Sequence, residues 1–170
     1  MATFRTSVAI AAMAVAVSSL SPWPMGRADA ALANGVIAPN FTAAGVQGGR
    51  RFSVSLAREL RRGPVVIYFF PRAFTTGCTI ESRAFAEAMP QFRRAGATVI
   101  GMSGDDIATL SRFSTETCRS AFPMASATPQ IIADFDVSLR PGITNRTSYV
   151  IARDGTVALV GLAAFLGHLY

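Results

Sequence analysis

The amino-acid sequence predicts an α/β domain in which a mixed central β-sheet is flanked by helices. Two apolar runs of strand length, 65–70 and 98–102, enclose a helical segment, as in a parallel βαβ unit. A hairpin pattern at 148–159 follows and adds antiparallel strands, which makes the sheet mixed. The 170 residues, 51% of them hydrophobic, are enough for one packed domain and too few for two domains of ordinary size.

Residues 1–30 carry the pattern of a secretory signal peptide and are set aside from the fold. One arginine precedes the apolar run Val8–Val17, which is shorter than the roughly 20 residues that span a bilayer. Ala28 and Ala30 supply the small side chains that a signal peptidase reads. We expect a mature domain of residues 31–170, exported to a bacterial periplasm and without a stable membrane anchor. Cleavage after Ala33 and a transit peptide leading to an organelle lumen are the alternatives.

The N-terminal part of the domain predicts a short hairpin followed by a short helix. Phe41–Ala43 and Phe52–Val54 have strand composition and flank a glycine-rich turn at Gln47–Gly49. Leu56–Leu60 is predicted to form a short helix that ends before Gly63 and Pro64, because glycine and proline both interrupt helices.

The centre of the domain predicts a buried strand that leads into a long helix. Val65–Phe70 is a continuous β-branched and aromatic run, typical of a strand buried on both faces, and Pro71 ends it. From about Cys78 to the stop signal at Gly96, apolar residues recur near the helical period of 3.6. The predicted buried face of this helix carries Ile80, Phe85, Met89 and Phe92.

The second half of the domain predicts another buried strand, two helices and a hairpin. In chain order these are Thr98–Met102, Asp106–Cys118, Pro129–Phe135, and the paired strands Ser148–Ile151 and Thr156–Leu159. Ser103 or Asp105 is predicted to cap the first of these helices. Its buried face is predicted to carry Ile107, Leu110 and Phe113.

The composition excludes several classes of enzyme. All 16 basic residues are arginine, which excludes Schiff-base lysines, pyridoxal enzymes and Walker-A phosphate loops. A single histidine, His168, leaves no basis for a Ser-His-Asp triad or a multi-histidine metal site. The arginines are scattered without interleaved aromatic residues, so the net charge of +6 predicts a basic surface and no nucleic-acid partner.

The two cysteines, Cys78 and Cys118, leave thiol chemistry open. In an oxidising compartment such a pair is often only a structural disulfide. Cys78, however, is predicted to lie where a buried strand gives way to a helix. Unpaired backbone N–H groups and the helix dipole stabilise a thiolate at such a position. The sequence therefore favours a reactive thiol at Cys78 over a purely structural disulfide.

The segment 69–81, FFPRAFTTGCTIE, resembles the active-site segment of peroxiredoxins of the AhpC/TSA superfamily. The match is to the motif Pro-x-x-x-Thr-x-x-Cys and is most similar to the Q-type, bacterioferritin-comigratory branch. The resemblance extends from about Ala38 to Gly155 and includes Asn145–Ile151, which resembles the arginine-bearing strand entry of the family. It implies a thioredoxin-like fold and reduction of hydrogen peroxide or organic hydroperoxides by a cysteine thiolate, without metal, flavin or other cofactor.

The resemblance and the chemistry of the side chains together assign a role to each motif residue. Cys78 is expected to attack the peroxide and become a sulfenic acid. Thr75 is expected to orient the peroxide, and Arg146 to stabilise the thiolate and the developing oxyanion. Pro71 is expected to cover the sulfur, and Glu81 to hold Arg146 in place.

The chain departs from the family pattern in two places. Many Q-type members carry a second cysteine five residues after the first, where this chain has Arg83. Cys118 is therefore expected to resolve the sulfenic acid as an intramolecular disulfide, which a thioredoxin-like dithiol reduces. Only ten mostly apolar residues, 161–170, follow the last predicted strand, so the C-terminal end is expected to be shortened.

Two other interpretations remain open at this point. The protein could be a one-cysteine peroxidase, or a non-enzymatic relative with a structural disulfide. We expect a monomer or a homodimer.

Overall fold

A seven-stranded mixed β-sheet lies at the centre of the structure, a computed structural model that describes residues 31–161. A separate two-stranded hairpin, β6–β7, lies beside it. In chain order the elements are β1 (Thr42–Gln47), β2 (Arg50–Ser55), α1 (Leu56–Leu60), β3 (Val65–Phe69), α2 (Thr76–Arg94), β4 (Thr98–Ser103), α3 (Ile107–Glu116), β5 (Met124–Ser126), α4 (Pro129–Asp134), β6 (Ser138–Arg140), β7 (Ile143–Thr144), β8 (Ser148–Ile151) and β9 (Val157–Val160).

The order of strands across the sheet is β2-β1-β5-β4-β3-β8-β9. β3 and β4 are parallel, as are β4 and β5, whereas β8 pairs antiparallel with both β3 and β9. The predicted βαβ unit and C-terminal hairpin are therefore confirmed, and with them the mixed sheet. At the opposite edge, β1 and β2 are joined by Gly48 and Gly49, whose positive φ angles of 56° and 77° suit a tight hairpin turn.

Both faces of the sheet are buried, and β3 shows how the sequence achieves this. Alternate side chains of a strand point to opposite faces. Val65, Ile67 and Phe69 belong to one core cluster, together with residues of α4. Val66 and Tyr68 belong to the other, which lies under α2 and α3. The strand that leads into the active-site segment is thus fixed by packing on both sides.

Helix α2 begins at Thr76, slightly earlier than predicted, and its buried face differs from the predicted one. Ile80 is 64% exposed, so its assignment to the buried face was wrong. The helical period puts Ile80 on another side of the helix from Cys78. The buried residues of the helix are Cys78, Ser82, Phe85, Ala88, Met89 and Phe92.

Helix α3 also differs from its prediction in its cap and its end. The cap is Asp106, whose side chain accepts a hydrogen bond from the backbone N–H of Thr109 at 2.8 Å. Neither Ser103 nor Asp105 caps the helix, because their side chains bond to each other. The helix ends at Glu116, so Cys118 lies in the turn that follows and not within the helix.

Three short strands, β5, β6 and β7, were not predicted. They have two or three residues each, which is too few for a periodic pattern to be recognised. The proposed signal peptide and residues 162–170 of the expected shortened C-terminal end lie outside the described residues. Within residues 31–161, no helix has the length and apolar character needed to cross a membrane.

Candidate active site

The loop between β3 and α2 is fixed to the neighbouring strand by an acidic side chain. Asp105, just beyond β4, accepts hydrogen bonds from the backbone N–H of Ala73 at 2.7 Å and from the hydroxyl of Ser103 at 2.9 Å. At the start of the loop, the N–H of Phe70 donates to the carbonyl of Met102 at 3.0 Å. These bonds set the position from which α2 begins. The sequence pattern predicted Asp105 only as a helix cap and missed this role.

Phe74 occupies an unusual backbone conformation within the same loop. Its φ of 62° lies in the left-handed region, which is unfavourable for a side chain of this size. Its ring packs edge-on against Phe113 of α3 at 5.2 Å, and the guanidinium of Arg112 lies over it at 5.2 Å. Contacts with α3 thus hold the residue just before Thr75 in a strained conformation.

Cys78 lies in the first turn of α2, fully buried, with its sulfur facing a cation. Nη2 of Arg146 donates to Sγ of Cys78 at 3.3 Å. The N-terminal end of the helix adds the positive end of its dipole and outward-pointing N–H groups. A negative charge on this sulfur is therefore stabilised by the helix and by the guanidinium together.

Arg146 is held in this position from two directions. Its other terminal nitrogen, Nη1, forms an ion pair with Oε2 of Glu81 at 2.8 Å. Its backbone lies between β7 and β8, where the hydroxyl of Thr144 donates to the carbonyl of Phe70 at 2.7 Å. On the other side, the N–H of Phe69 donates to the carbonyl of Thr147 at 2.8 Å. The structure thus brings Cys78, Glu81 and Arg146 together.

Glu81 is a partly buried carboxyl with a perturbed acidity. Its side chain is 23% exposed. Burial raises the pKa of Glu81 above its usual value, while the charge of Arg146 and the hydrogen bond from it act in the opposite direction. The carboxylate of Glu81 is thus held against Arg146 although its partial burial removes part of its hydration.

Gly77 is a site residue that the sequence analysis missed. A Cβ atom at this position would lie 2.6 Å from Nη2 and 3.2 Å from Cζ of Arg146. Only the absence of a side chain lets the guanidinium lie so close to the start of the helix. The glycine immediately before Cys78 was the available signal, but its partner is distant in sequence.

Thr75 and Pro71 lie at the exposed side of the site. The hydroxyl of Thr75 donates to the carbonyl of Arg72 at 3.0 Å and does not cap the helix, although Thr75 occupies the N-cap position. Its lone pairs remain able to accept a hydrogen bond. Pro71 is half-buried and lines a pocket of about 330 Å³ together with Leu139, Asn145, Arg146 and Thr147.

Cys118 is buried in the same core cluster as Cys78, and both cysteines are free thiols. Burial raises the pKa of the Cys118 thiol to about 12, although a hydrogen bond with Ser82 and the charge of Arg83 oppose the rise. At neutral pH this cysteine is therefore a protonated, poor nucleophile in the structure. Among residues 31–161, no group of three or more His, Cys, Asp or Glu side chains could hold a metal ion.

A family model described as the AhpC/TSA family matches residues 35–160, most of the chain. The chain belongs to the AhpC/TSA family. The chloroplastic peroxiredoxin Q of Gentiana triflora is 33% identical over 149 residues, which cover 84% of this chain and 67% of the relative. This AhpC/TSA chain is therefore a peroxidase of the oxidoreductase class, as the motif predicted.

Solved structures of peroxiredoxins confirm the thioredoxin-like fold. Peroxidoxin BcpB of Mycobacterium tuberculosis is 29% identical with a TM-score of 0.67, covering 75% of this chain and 84% of that one. The reduced 2-Cys peroxiredoxin of Plasmodium vivax has a TM-score of 0.70 over 78% of each chain. At 23% identity, this second likeness shows the fold alone.

Proposed function

We propose that this peroxiredoxin reduces hydrogen peroxide and organic hydroperoxides through a sulfenic acid at Cys78. We further propose that Cys118 resolves this acid as an intramolecular disulfide, which a thioredoxin-like dithiol reopens. The main support for this proposal is the guanidinium of Arg146, which lies 3.3 Å from the Cys78 sulfur and forms an ion pair with Glu81. A fixed cation beside a buried thiol at a helix start serves to stabilise negative charge on sulfur and on a departing oxygen.

The first step uses only groups of this chain and the peroxide. The Cys78 thiolate donates an electron pair to one peroxide oxygen, the O–O bond breaks, and the second oxygen departs as hydroxide or alkoxide. The proton that the Cys78 thiol gave up on ionising returns to this oxygen, so the product is water or an alcohol. Arg146 stabilises the charge that develops on that oxygen, since its guanidinium cannot lose its proton. Thr75 already uses its hydroxyl proton to bond the Arg72 carbonyl. It is therefore oriented to accept the hydrogen bond of the incoming hydroperoxide.

We propose that the second step involves local movement, since the two cysteines are separate buried thiols and Cys118 is held in its protonated form. A disulfide needs Cα atoms within about 7 Å and suitably directed Cβ atoms. The segments best suited to move are the first turn of α2 and the turn that contains Cys118. In that turn Arg119 and Ser120 have φ angles of 50° and 56°, a left-handed conformation unfavourable for residues other than glycine. Release of Cys118 would relieve that strain.

The proposed location and reductant rest on sequence alone. We propose export of a mature chain that begins at Ala31, on the signal-peptide pattern of residues 1–30. An exported enzyme needs a dithiol reductant in its own compartment, so the partner would be an extracytoplasmic thioredoxin-like protein. We propose a monomer or homodimer for the assembly.

Intact-mass measurement before and after one equivalent of peroxide tests the proposal. We expect the wild type to lose two hydrogens and the Cys118→Ser variant to gain one oxygen at Cys78. Cys78→Ser should consume no peroxide, and Arg146→Ala should react about 10²- to 10³-fold more slowly. Arg153→Ala is the matched control, because this arginine bonds the Arg61 carbonyl on another part of the surface.

Other outcomes would favour the remaining interpretations. If Cys118→Ser turns over as fast as the wild type with the same dithiol, Cys118 is incidental and the protein is a one-cysteine peroxidase. Full activity in Cys78→Ser would refute the catalytic assignment. A wild type that forms the disulfide but reduces no peroxide would be a non-enzymatic relative.

A further inference from the structure

An open pocket adjoins the active site and shares residues with it. Its volume is about 330 Å³, and it is lined by Pro71, Leu139, Asn145, Arg146 and Thr147. Arg146 belongs both to the pocket and to the site, because its Nη2 donates to the Cys78 sulfur at 3.3 Å. A molecule in the pocket would therefore contact the residue that faces the reacting sulfur.

The pocket is larger than hydrogen peroxide requires. One water molecule takes up about 30 Å³ in the liquid, so a peroxide of two oxygen atoms needs on the order of 60 Å³. Pockets that bind small organic molecules have volumes of about 300–1,000 Å³. At about 330 Å³ this pocket lies at the lower end of that range. Its size therefore suits a compact organic group attached to the O–O bond.

The walls of the pocket favour an uncharged, apolar group. Leu139 is 54% exposed, although its side chain is entirely hydrocarbon. Together with the ring of Pro71, it offers apolar surface for an alkyl or aryl group to cover. Arg146 is the only charged residue among the five that line the pocket, and its guanidinium already contacts Glu81 and Cys78. None of these five therefore offers a free cation that would select an anionic substituent.

The β6–β7 hairpin, which carries Leu139, is fixed to neighbouring segments at its turn and at its base. At the turn, a Cβ atom on Gly104 would overlap the carbonyl oxygen of Gly142, so the two backbones are in close contact just beyond β4. At the base, the hydroxyl of Thr144 donates to the carbonyl of Phe70 at 2.7 Å, in a buried hydrogen bond. The wall that Leu139 forms is thus in place before a substrate binds, which lowers the cost of binding.

We propose that Leu139 is a specificity-determining residue, which together with Pro71 binds the organic group of a compact, uncharged alkyl or aryl hydroperoxide. The inference rests on the proposed function and names the substrate class of that site. Hydrogen peroxide has no such group and reacts without using Leu139.

The chemistry of the first step agrees with this placement. The Cys78 thiolate forms an S–O bond with the terminal, protonated oxygen of the hydroperoxide, and the O–O bond breaks. The oxygen that keeps the organic group departs as an alkoxide and takes up the proton that the thiol gave up, so the product is an alcohol. Arg146 stabilises this alkoxide and also lines the pocket. The departing oxygen and its organic group therefore belong on the side of the pocket.

A comparison of two peroxides tests the proposal. Reduced protein is mixed with cumene hydroperoxide or with hydrogen peroxide by stopped flow, and the second-order rate constant of the first step is measured from the loss of peroxide. We expect Leu139→Ala to react about fivefold more slowly with cumene hydroperoxide, since the exposed part of the leucine would lose its contact with the organic group. The rate with hydrogen peroxide should stay within twofold of wild type.

Two further variants separate specificity from general damage to the fold. Leu159→Ala removes another exposed leucine, on β9 and outside the pocket, and should leave the ratio of the two rate constants unchanged. Leu139→Met keeps an apolar side chain of similar volume and should retain most of the rate with cumene hydroperoxide. Urea titration should show that both variants of Leu139 remain folded, because this side chain is half-exposed.

The ratio of the two rate constants decides the outcome. An equal loss with both peroxides in Leu139→Ala, or no loss with either, would overturn the role of Leu139 and leave the peroxidase assignment intact. A wild type that reduces hydrogen peroxide but not cumene hydroperoxide would do the same. A wild type that reduces neither peroxide would overturn the proposed function, and this inference with it.

Discussion

Replacing Gly77 by alanine is expected to disable the active site without weakening the fold. The new Cβ would lie 2.6 Å from Nη2 of Arg146, the nitrogen that donates to the Cys78 sulfur. An ordinary contact of 3.4 Å requires the guanidinium to move by about 0.8 Å. A misplacement near 1 Å in a catalytic group costs about 10²-fold in rate. We therefore expect kcat/KM for hydrogen peroxide to fall about 10²-fold in Gly77→Ala.

Stability should change in the opposite direction. Gly77 lies in the first turn of α2 and its φ is not positive, so alanine fits the backbone there. An alanine in a helix is favoured over glycine by roughly 0.5–1 kcal/mol. The free energy of unfolding, measured by urea titration, should be unchanged or higher by about that amount. Thr76→Ala, an exposed neighbour in the same turn, is the control for helix propensity.

A double-mutant cycle tests the reasoning directly. In an Arg146→Ala background the guanidinium is absent, so Gly77→Ala should cause little further loss of activity. Additive losses would mean that the glycine acts through another group. Wild-type activity in the single variant Gly77→Ala would refute the idea that close approach to the helix positions Arg146.

Three further predictions concern pH, strain and processing. Burial raises the pKa of Glu81, so the wild type loses stability as the pH rises from the ordinary value of 4.5 through the raised pKa. Glu81→Gln carries no such charge and should gain stability relative to wild type over that rise in pH, measured by chemical denaturation. Its peroxidase activity should fall at neutral pH, because the ion pair with Arg146 is lost. Ser120→Gly should relieve the strain of the left-handed backbone at this position and stabilise the fold by about 1 kcal/mol. Disulfide closure should then be about fivefold slower, as measured by intact mass in a single turnover. Faster closure would contradict the proposed strain release. N-terminal sequencing of the native protein should give Ala31, and an intact Met1 or Ala2 in a cytosolic fraction would exclude the signal peptide.

Local sequence patterns were sufficient for the centre of the fold. The apolar run of β3 and the helical period of α2 are properties of consecutive residues, and both elements lie close to where they were predicted. The position of Cys78 near the start of a helix followed from the same two elements. Where the pattern failed, as with the exposed Ile80, one apolar residue lay off the face that the rest of the helix buries.

The remaining parts of the site depend on contacts between distant residues. Arg146 is 68 residues from Cys78, and only the resemblance to a family singled it out. The antiparallel register that pairs Tyr68 with Ser148 carries the chain just before β8 to the end of β3, which places Arg146 beside the helix start. No periodic pattern encodes that register.

The same limit applies to Gly77 and Asp105. Each has a plain local interpretation, as a helix-start glycine or a helix cap. Their roles come from contacts with Arg146 and Ala73 respectively. The sequence by itself therefore determined the longer strands and helices and the position of the Cys78 thiol at the start of a helix, because these follow from neighbouring residues. Tertiary structure alone decided which side chains meet that thiol, because strand pairing and core packing bring together residues that the chain keeps far apart.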